Sequence, residues 1–430
     1  MALTGRAAVA ALVGALVALT ARATWALIAV NAVLVAAIGA DLVLAAGIRP
    51  LRLSRAGDTR ILLGQVGSVM LTLANPGNRG LHAVVRDAWQ PSAGASPAAA
   101  RVHVPAGRQV TLTTTLRPSR RGDKAASQVT VRSFGPLQLA ARQGNRAAPW
   151  SVRVLPPFLS RRHLPAKLAR LRQLDGMHVS LLRGQGSEFD SLREYVVGDD
   201  VRSIDWRAAA RRMDVMVRTW RPERDRRILI VLDTGRTSAG RVGGIPRLDT
   251  SMDAALLLAA LASRAGDRID LLAVDQQVRA RVVGASRTDV LTAMTNAMAP
   301  IEAQLVESSA AMLASSVLAI ARQRCLVILL TDLNAAAIEA GLLPRVRMLS
   351  ARHRVVVASV ADPRQDEMAA GRADAAAVYA AAAAEHARGE RARVGALLRR
   401  RGADVIDAPP GRLPAALADA YLNLKAAGRL

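Results

Sequence analysis

Arg227-Ile-Leu-Ile-Val-Leu-Asp-Thr-Gly-Arg-Thr237 decides the fold of the C-terminal half. Ile228 to Leu232 form an unbroken apolar run, and a strand so built is buried on both faces, as in parallel sheets covered by helices. The residues that follow supply the covering elements. Leucines at helical spacing predict a helix over Thr250–Arg264, followed by a strand at Arg268–Val274 and helices near 287–299 and 308–323. Further strands are expected at Cys325–Leu330, Arg354–Val360 and Asp404–Ile406, the last two separated by an Ala/Arg-rich helix near 366–401. This alternation predicts a doubly wound parallel α/β domain over 225–430. Ligands of such sheets bind beyond the carboxyl ends of the strands. Asp233 and Asp332 sit there, after the first strand and after Cys325–Leu330.

Immediately upstream, residues 186–220 alternate acids and arginines around Phe189, Tyr195 and Trp206. Asp190 or Ser191 has capping-box spacing for a short helix through Glu194, which Gly198-Asp199-Asp200 would break. Opposite charges packed beside aromatics suggest an arginine–carboxylate network with bidentate pairs. Two roles are open for the 158–224 segment: a clamp between its neighbouring domains, or a docking surface presenting Glu188, Arg193, Asp199, Asp200, Asp205 and Arg207.

Residues 49–157 read as an all-β sandwich. Val69–Leu73, Arg101–Val104, Gln109–Leu116, Gln128–Arg132 and Ser151–Leu155 alternate with period two or are β-branched. Turn residues such as Asn75-Pro-Gly-Asn78 and Pro105-Ala-Gly107 separate them, and Pro156-Pro157 marks the boundary. Residues 1–48 are different again. Fifteen uncharged residues lie between Arg6 and Arg22, and Ala23–Ile48 is interrupted only by Asn31 and Asp41. A spanning helix needs about 20 apolar residues. The first run is short, and a cleaved signal peptide competes for it. Apolar character resumes at once after Arg22, however, which predicts a two-helix transmembrane hairpin turning near Arg22–Thr24. Arg49, Arg52, Arg55 and Arg60 then place the N-terminus and the C-terminal bulk in the cytoplasm, on the inner membrane. Asp41 is expected as a carboxylate near the inner interface.

The string from Glu188 to Arg218, EFDSLREYVVGDDVRSIDWRAAARRMDVMVR, closely resembles the signature of the bacterial domain-of-unknown-function family 58. The resemblance extends outward to the membrane hairpin, the β-sandwich and a von Willebrand factor A-like α/β domain. It implies a non-enzymatic, membrane-anchored scaffold or adaptor that works with a MoxR-type AAA+ ATPase through a degenerate A-like domain, with Asp233, Thr237 and Asp332 as the contact site, in envelope assembly or protein maturation. It also implies a place for Mg²⁺. A-like domains hold a divalent cation with an Asp-x-Ser-x-Ser loop, a threonine and a further acid. Here the loop reads Asp233-x-Gly235-x-Thr237, so Asp233, Thr237 and Asp332 match while Gly235 offers no side-chain oxygen. Ser308 and Ser309 are candidates for the second-loop hydroxyl.

The alternative is a metal-dependent, phosphatase-like hydrolase using Asp233 and Asp332, since an apolar strand ending in Asp-Thr-Gly-x-Thr also resembles a phosphoaspartate loop. Its general acid would stand two residues after Asp233, where Gly235 is found. No Gly-x-x-x-x-Gly-Lys loop is present, and the six histidines lack ligand spacing. Cys325, the single cysteine, reads as core, and Leu181–Gly186 as a loop. The net charge of +25 suggests nucleic acid, yet residues 1–180 hold 23 basic and 5 acidic residues against 36 and 29 in 181–430. An excess concentrated just after the apolar run suits an anionic lipid bilayer. No nucleic-acid partner is expected.

Overall fold

A computed structural model of the chain describes residues 2–21, 24–181, 188–197, 199–212, 214–221 and 226–430. Arg22 and Ala23 of the expected turn, most of the Leu181–Gly186 pattern and Gly198 lie outside the described residues. Two compact units divide the chain, Met1–Leu155 and Pro156–Leu430.

In the first unit, β1 (Ala2–Leu3) precedes two apolar helices, α1 (Gly5–Ala21) and α2 (Thr24–Leu44). Within α2, Trp25–Leu44 is long and apolar enough to cross a membrane, with mean hydropathy 2.4, whereas α1 is shorter. The helices satisfy their own polar groups. Asn31 Nδ2 donates to the Leu27 carbonyl at 2.8 Å and Thr20 Oγ1 to that of Val17 at 2.8 Å, as an apolar surrounding would require.

The strands that follow are β2 (Arg52–Gly57), β3 (Arg60–Leu62), β4 (Gly67–Ala74), β5 (Leu81–Trp89), β6 (Ala95–Ser96), β7 (Ala99–Val104), β8 (Gln109–Leu116), β9 (Gly122–Phe134) and β10 (Ala140–Leu155). One sheet runs β1-β10-β9-β5-β7, with β3 added to β10, and the other β2-β4-β8-β6. Alternation does the sorting: Val69, Leu71 and Leu73 of β4 are buried while Ser68 and Met70, each beside one of them, face out. Leu71 and Leu73 share a core with Leu81, Val85, Val104, Val129 and Val131 of the opposite sheet. Arg55, expected among the charges following the apolar run, is instead inside. Its guanidinium pairs bidentately with Asp87 at 2.6 and 3.3 Å and lies over the Trp89 ring.

Asp41 is also inside the protein. It is fully buried, and its carboxylate accepts the backbone N–H groups of Leu137, Leu139 and Ala140 at 2.8, 2.7 and 2.9 Å. Three arginines take carbonyls at and just past the helix end, the first two of which a helix leaves unpaired. Arg142 donates to Leu42, Arg79 to Val43 and Arg146 to Ile48. At the other end of the helix pair, β1 pairs with the same strand, Ala2 opposite Ala141. Both ends of the helix pair are therefore tied to the β9–β10 turn.

The second unit opens with α3 (Leu164–Leu181), whose buried Leu171 joins the core of the α/β domain. Then β11 (Glu188–Glu194), α4 (Trp206–Arg212) and β12 (Met216–Arg221) form a small module in which the two strands pair antiparallel. The expected capped helix through Glu194 is thus a strand. Pairing with Met216–Arg221 supplies the backbone partners that a seven-residue helix would leave half unmet.

The α/β sheet contains β13 (Arg227–Asp233), followed by α5 (Arg236–Ala239), the small pair β14 (Arg241–Val242) and β15 (Ile245–Pro246), and α6 (Arg247–Arg264). Next come β16 (Arg268–Val274), β17 (Val278–Val282), α7 (Val290–Met298), α8 (Ala310–Ile320), β18 (Leu326–Leu330) and the short α9 (Ala335–Ala337). The remainder is α10 (Leu343–Arg352), β19 (Arg354–Val360), α11 (Arg364–Ala370), α12 (Ala375–Arg400), β20 (Ala403–Ala408) and α13 (Leu413–Ala426). Strand order is β17-β16-β13-β18-β19-β20. The sheet is mixed, because β17 pairs antiparallel with β16 while the other pairings are parallel. Ile228, Ile230 and Leu232 pack with α6, α7 and α13, and Leu229 and Val231 with α8, α10 and α12. That explains why β13 has no polar position between Arg227 and Asp233.

Candidate functional site

The parallel strands bring Asp233, at the end of β13, and Asp332, just beyond β18, to one edge of the sheet, both nearly buried. Neither carboxylate is idle. Asp233 Oδ1 accepts the Gly235 N–H at 2.9 Å and the Ser308 hydroxyl, while Oδ2 accepts Thr331 Oγ1 at 2.6 Å. Of the two serine candidates it is thus Ser308 that reaches Asp233, and Ser309 instead caps α8 by accepting the Met312 N–H. A side chain at position 235 would run into the Ser308 hydroxyl, which fills that space. Thr237 lies in α5, half-buried.

Asp332 is paired with two arginines. Arg247, the first residue of α6, donates to Oδ2 at 2.8 Å, and Arg391 of α12 donates to Oδ1 at 2.8 Å. Arg391 also reaches Asp407 at 2.7 and 3.2 Å and Ser359 Oγ at 2.8 Å. Burial works against the Arg391 charge, but Asp407 and Asp332 outweigh it and hold the guanidinium protonated far above its ordinary range. Beside Asp233, Asp275 accepts Thr234 Oγ1 at 3.0 Å and Arg279 Nε at 2.6 Å. Burial pushes the Asp275 carboxyl up, and these donors pull it back below its usual value.

These donors do not fit Mg²⁺. A hard cation needs oxygens that are not already paired with fixed cations, whereas here the Asp332 oxygens face two guanidinium groups. Among the described residues, no group of three His, Cys, Asp or Glu side chains could hold a metal ion. Arg247, Arg391, Thr331 and Ser359 are not legible as site residues, because they are scattered over elements that only the sheet order brings together.

Within the module, the charged residues act locally. Arg193 pairs with Asp199 at 2.5 Å, and Asp199 also accepts the Val196 N–H. The Arg193 hydrogen bond holds the Asp199 carboxyl below the usual range. Asp200 caps the turn at Val201–Ser203 by accepting the Arg202 N–H. Asp205 accepts the N–H groups of Arg207 and Ala208 at the start of α4 and pairs with Arg218 at 2.7 Å. Those donors, the Ala208 amide foremost, lower its pKa as well. Arg207 is exposed, and the Glu188 side chain lies outside the described residues. Rather than one buried network, these are separate pairs shaping a loop. The loop displays Trp206 at 67%, Val197 at 95% and Val201 at 60% exposure.

Curated relatives include uncharacterized proteins of Mycobacterium bovis and Mycobacterium tuberculosis, each 27% identical over 200 residues. The match takes in 45% of this chain and 61% of the relatives, so the chain spans about three-fifths of their length. Solved structures with similarity include proximal thread matrix protein 1 from the mussel byssus, at 14% identity, 47% of this chain, 48% of that one and TM-score 0.31. The CARDB domain of a Pyrococcus furiosus protein matches at 16% identity, 24% of this chain, 86% of that one and TM-score 0.19. The family described as "Protein of unknown function DUF58" matches residues 191–402, from the β11–β12 module through α12 to the turn before β20.

Proposed function

We propose that the chain is a membrane-anchored scaffold or adaptor, without catalysis of its own, that docks a MoxR-type AAA+ ATPase through the β11–β12 module. The observation that carries this reading is the surface of that module. An exposed indole lies among Arg193, Asp199, Asp205 and Arg207 with two exposed valines beside it, and tryptophan and arginine are the residues that dominate interaction hot spots. The α/β unit is read as von Willebrand factor A-like, with Asp233, Thr237 and Asp332 marking a second contact at its sheet edge. Clients in envelope assembly or protein maturation accord with such a partner.

The helix pair is read as a two-helix membrane hairpin. Both its ends are tied to the β9–β10 turn, so a pair that enters the bilayer returns to the side it left. Arg49, Arg52 and Arg60 put that side in the cytoplasm of an inner membrane. Pull-down of the ATPase by the full chain from detergent extracts tests the reading. Trp206→Ala should weaken retention about 30-fold or more, a hot-spot loss of about 2 kcal/mol, with the melting temperature unchanged. Undiminished retention by Trp206→Ala and Val197→Asp would sink the module's role. Undiminished retention by Asp233→Ala and Asp332→Ala would remove the sheet edge.

A further inference from the structure

We propose that Arg391, together with Arg247, is a built-in cation at the carboxyl edge of the sheet, closing with guanidinium groups the place where an A-like domain would hold a divalent ion. The inference rests on Asp332 and its partners and not on the docking reading.

A nearly buried carboxylate needs a counter-charge or a proton. At Asp332 each oxygen has its own arginine, one from α6 and one from α12. Arg391 does more than neutralise. Its side chain is 12% exposed, and its planar fork spans Asp332 on one side and Asp407 on the other, with Ser359 between them. One side chain therefore ties together the ends of β18, β19 and β20, the work a multidentate metal ion does for oxygen ligands from separate loops. The two arginines balance Asp332 and Asp407, so the cluster is already neutral. Asp233 gives the same answer by different means. Its oxygens are taken by Ser308, Thr331 and the Gly235 amide, and the Ser308 hydroxyl fills the space that a loop serine at 235 would need. A divalent ion here would have to displace two guanidinium groups and stand beside their charge.

The full chain in detergent, titrated with Mn²⁺ and followed by electron paramagnetic resonance, tests this. Wild type should hold no Mn²⁺ that depends on Asp233 or Asp332. One equivalent bound by wild type and lost in Asp332→Asn or Asp233→Asn, with both variants folded by near-ultraviolet circular dichroism, would overturn the proposal. Arg391→Met should lower the melting temperature by about 6–20 °C, as expected for an uncompensated buried charge. In the Arg247→Met/Arg391→Met double variant the freed acids should bind Mn²⁺ and recover part of that loss, and Asp332→Asn added to it should abolish both. A double variant that is folded by near-ultraviolet circular dichroism and binds no Mn²⁺ would contradict the substitution of guanidinium for metal.

Discussion

Gly235 and Ser308 act as a pair. Because a Cβ at position 235 meets the Ser308 hydroxyl and crowds the Val306 carbonyl at 2.9 Å, Gly235→Ala should destabilise the α/β unit by about 1–3 kcal/mol, read by thermal melting. A neutral outcome would mean that the loop has room for a ligand. Asp41 is a second residue whose role lies in what it accepts. Asp41→Ala leaves three amides of the β9–β10 turn without their acceptor and should cost about 2–4 kcal/mol, with faster amide exchange confined to Leu137, Leu139 and Ala140. Cys325 behaves as the sequence predicts for a core thiol: it is 3% exposed, 3.6 Å from His353 Nδ1, and burial pushes its pKa up to about 11. An unfolded thiol ionises near pH 9, so over pH 9 to 11 the unfolded state loses a proton that the folded state keeps. This group's contribution to stability is therefore complete below pH 9 and is lost as pH rises through that window. Iodoacetamide at pH 8 should modify Cys325 only after denaturant is added, and rapid native labelling would contradict its burial.

Elements were legible where one pattern governed them. The unbroken run at 228–232 requires a strand with helices on both faces, and β13 has them. The stretch at 109–116 is β8 with the expected bounds. Legibility failed where a partner decides. Residues 188–194 carry a capping pattern and still form a strand, because β12 pairs with them. The helix expected near 366–401 is two, α11 and α12, since Gly371 ends one and Asp374 caps the next by accepting the Ala377 N–H at 2.7 Å. β17 is missed because it is exposed and antiparallel, and so lacks the apolar run of its neighbours. The acids of the site were readable from their positions at strand ends, whereas Arg247 and Arg391 were not, since no local spacing marks an arginine that will meet Asp332 across the sheet. The module has its own pH dependence. The depressed carboxyls of Asp199 and Asp205 contribute stability that is complete above the ordinary carboxylate range and is lost as pH falls through their lowered values. Amide signals of residues 193–208 should therefore broaden on acidification before those of β13 do.

At the scale of the whole chain, charge and topology support one reading. The basic excess lies in residues 49–180, just past the helix pair in sequence, and under the membrane reading each arginine near anionic lipid would contribute about 1 kcal/mol. Some of that excess serves the fold instead, as Arg55, Arg79, Arg142 and Arg146 show. Part of the +25 is thus accounted for inside the fold. Under the hairpin reading, single cysteines placed at Ala2 and Gln138 of the Cys325→Ala chain should label from the cytoplasmic side alone. Labelling of Ala2→Cys from the opposite side would leave one span in place of two. The central claim is recruitment of the ATPase to the membrane by the β11–β12 module. Its most direct test is co-sedimentation of the purified MoxR-type ATPase with vesicles carrying the full chain: the ATPase should pellet with wild-type vesicles and remain in solution with Trp206→Ala vesicles, and equal pelleting with both would contradict the account.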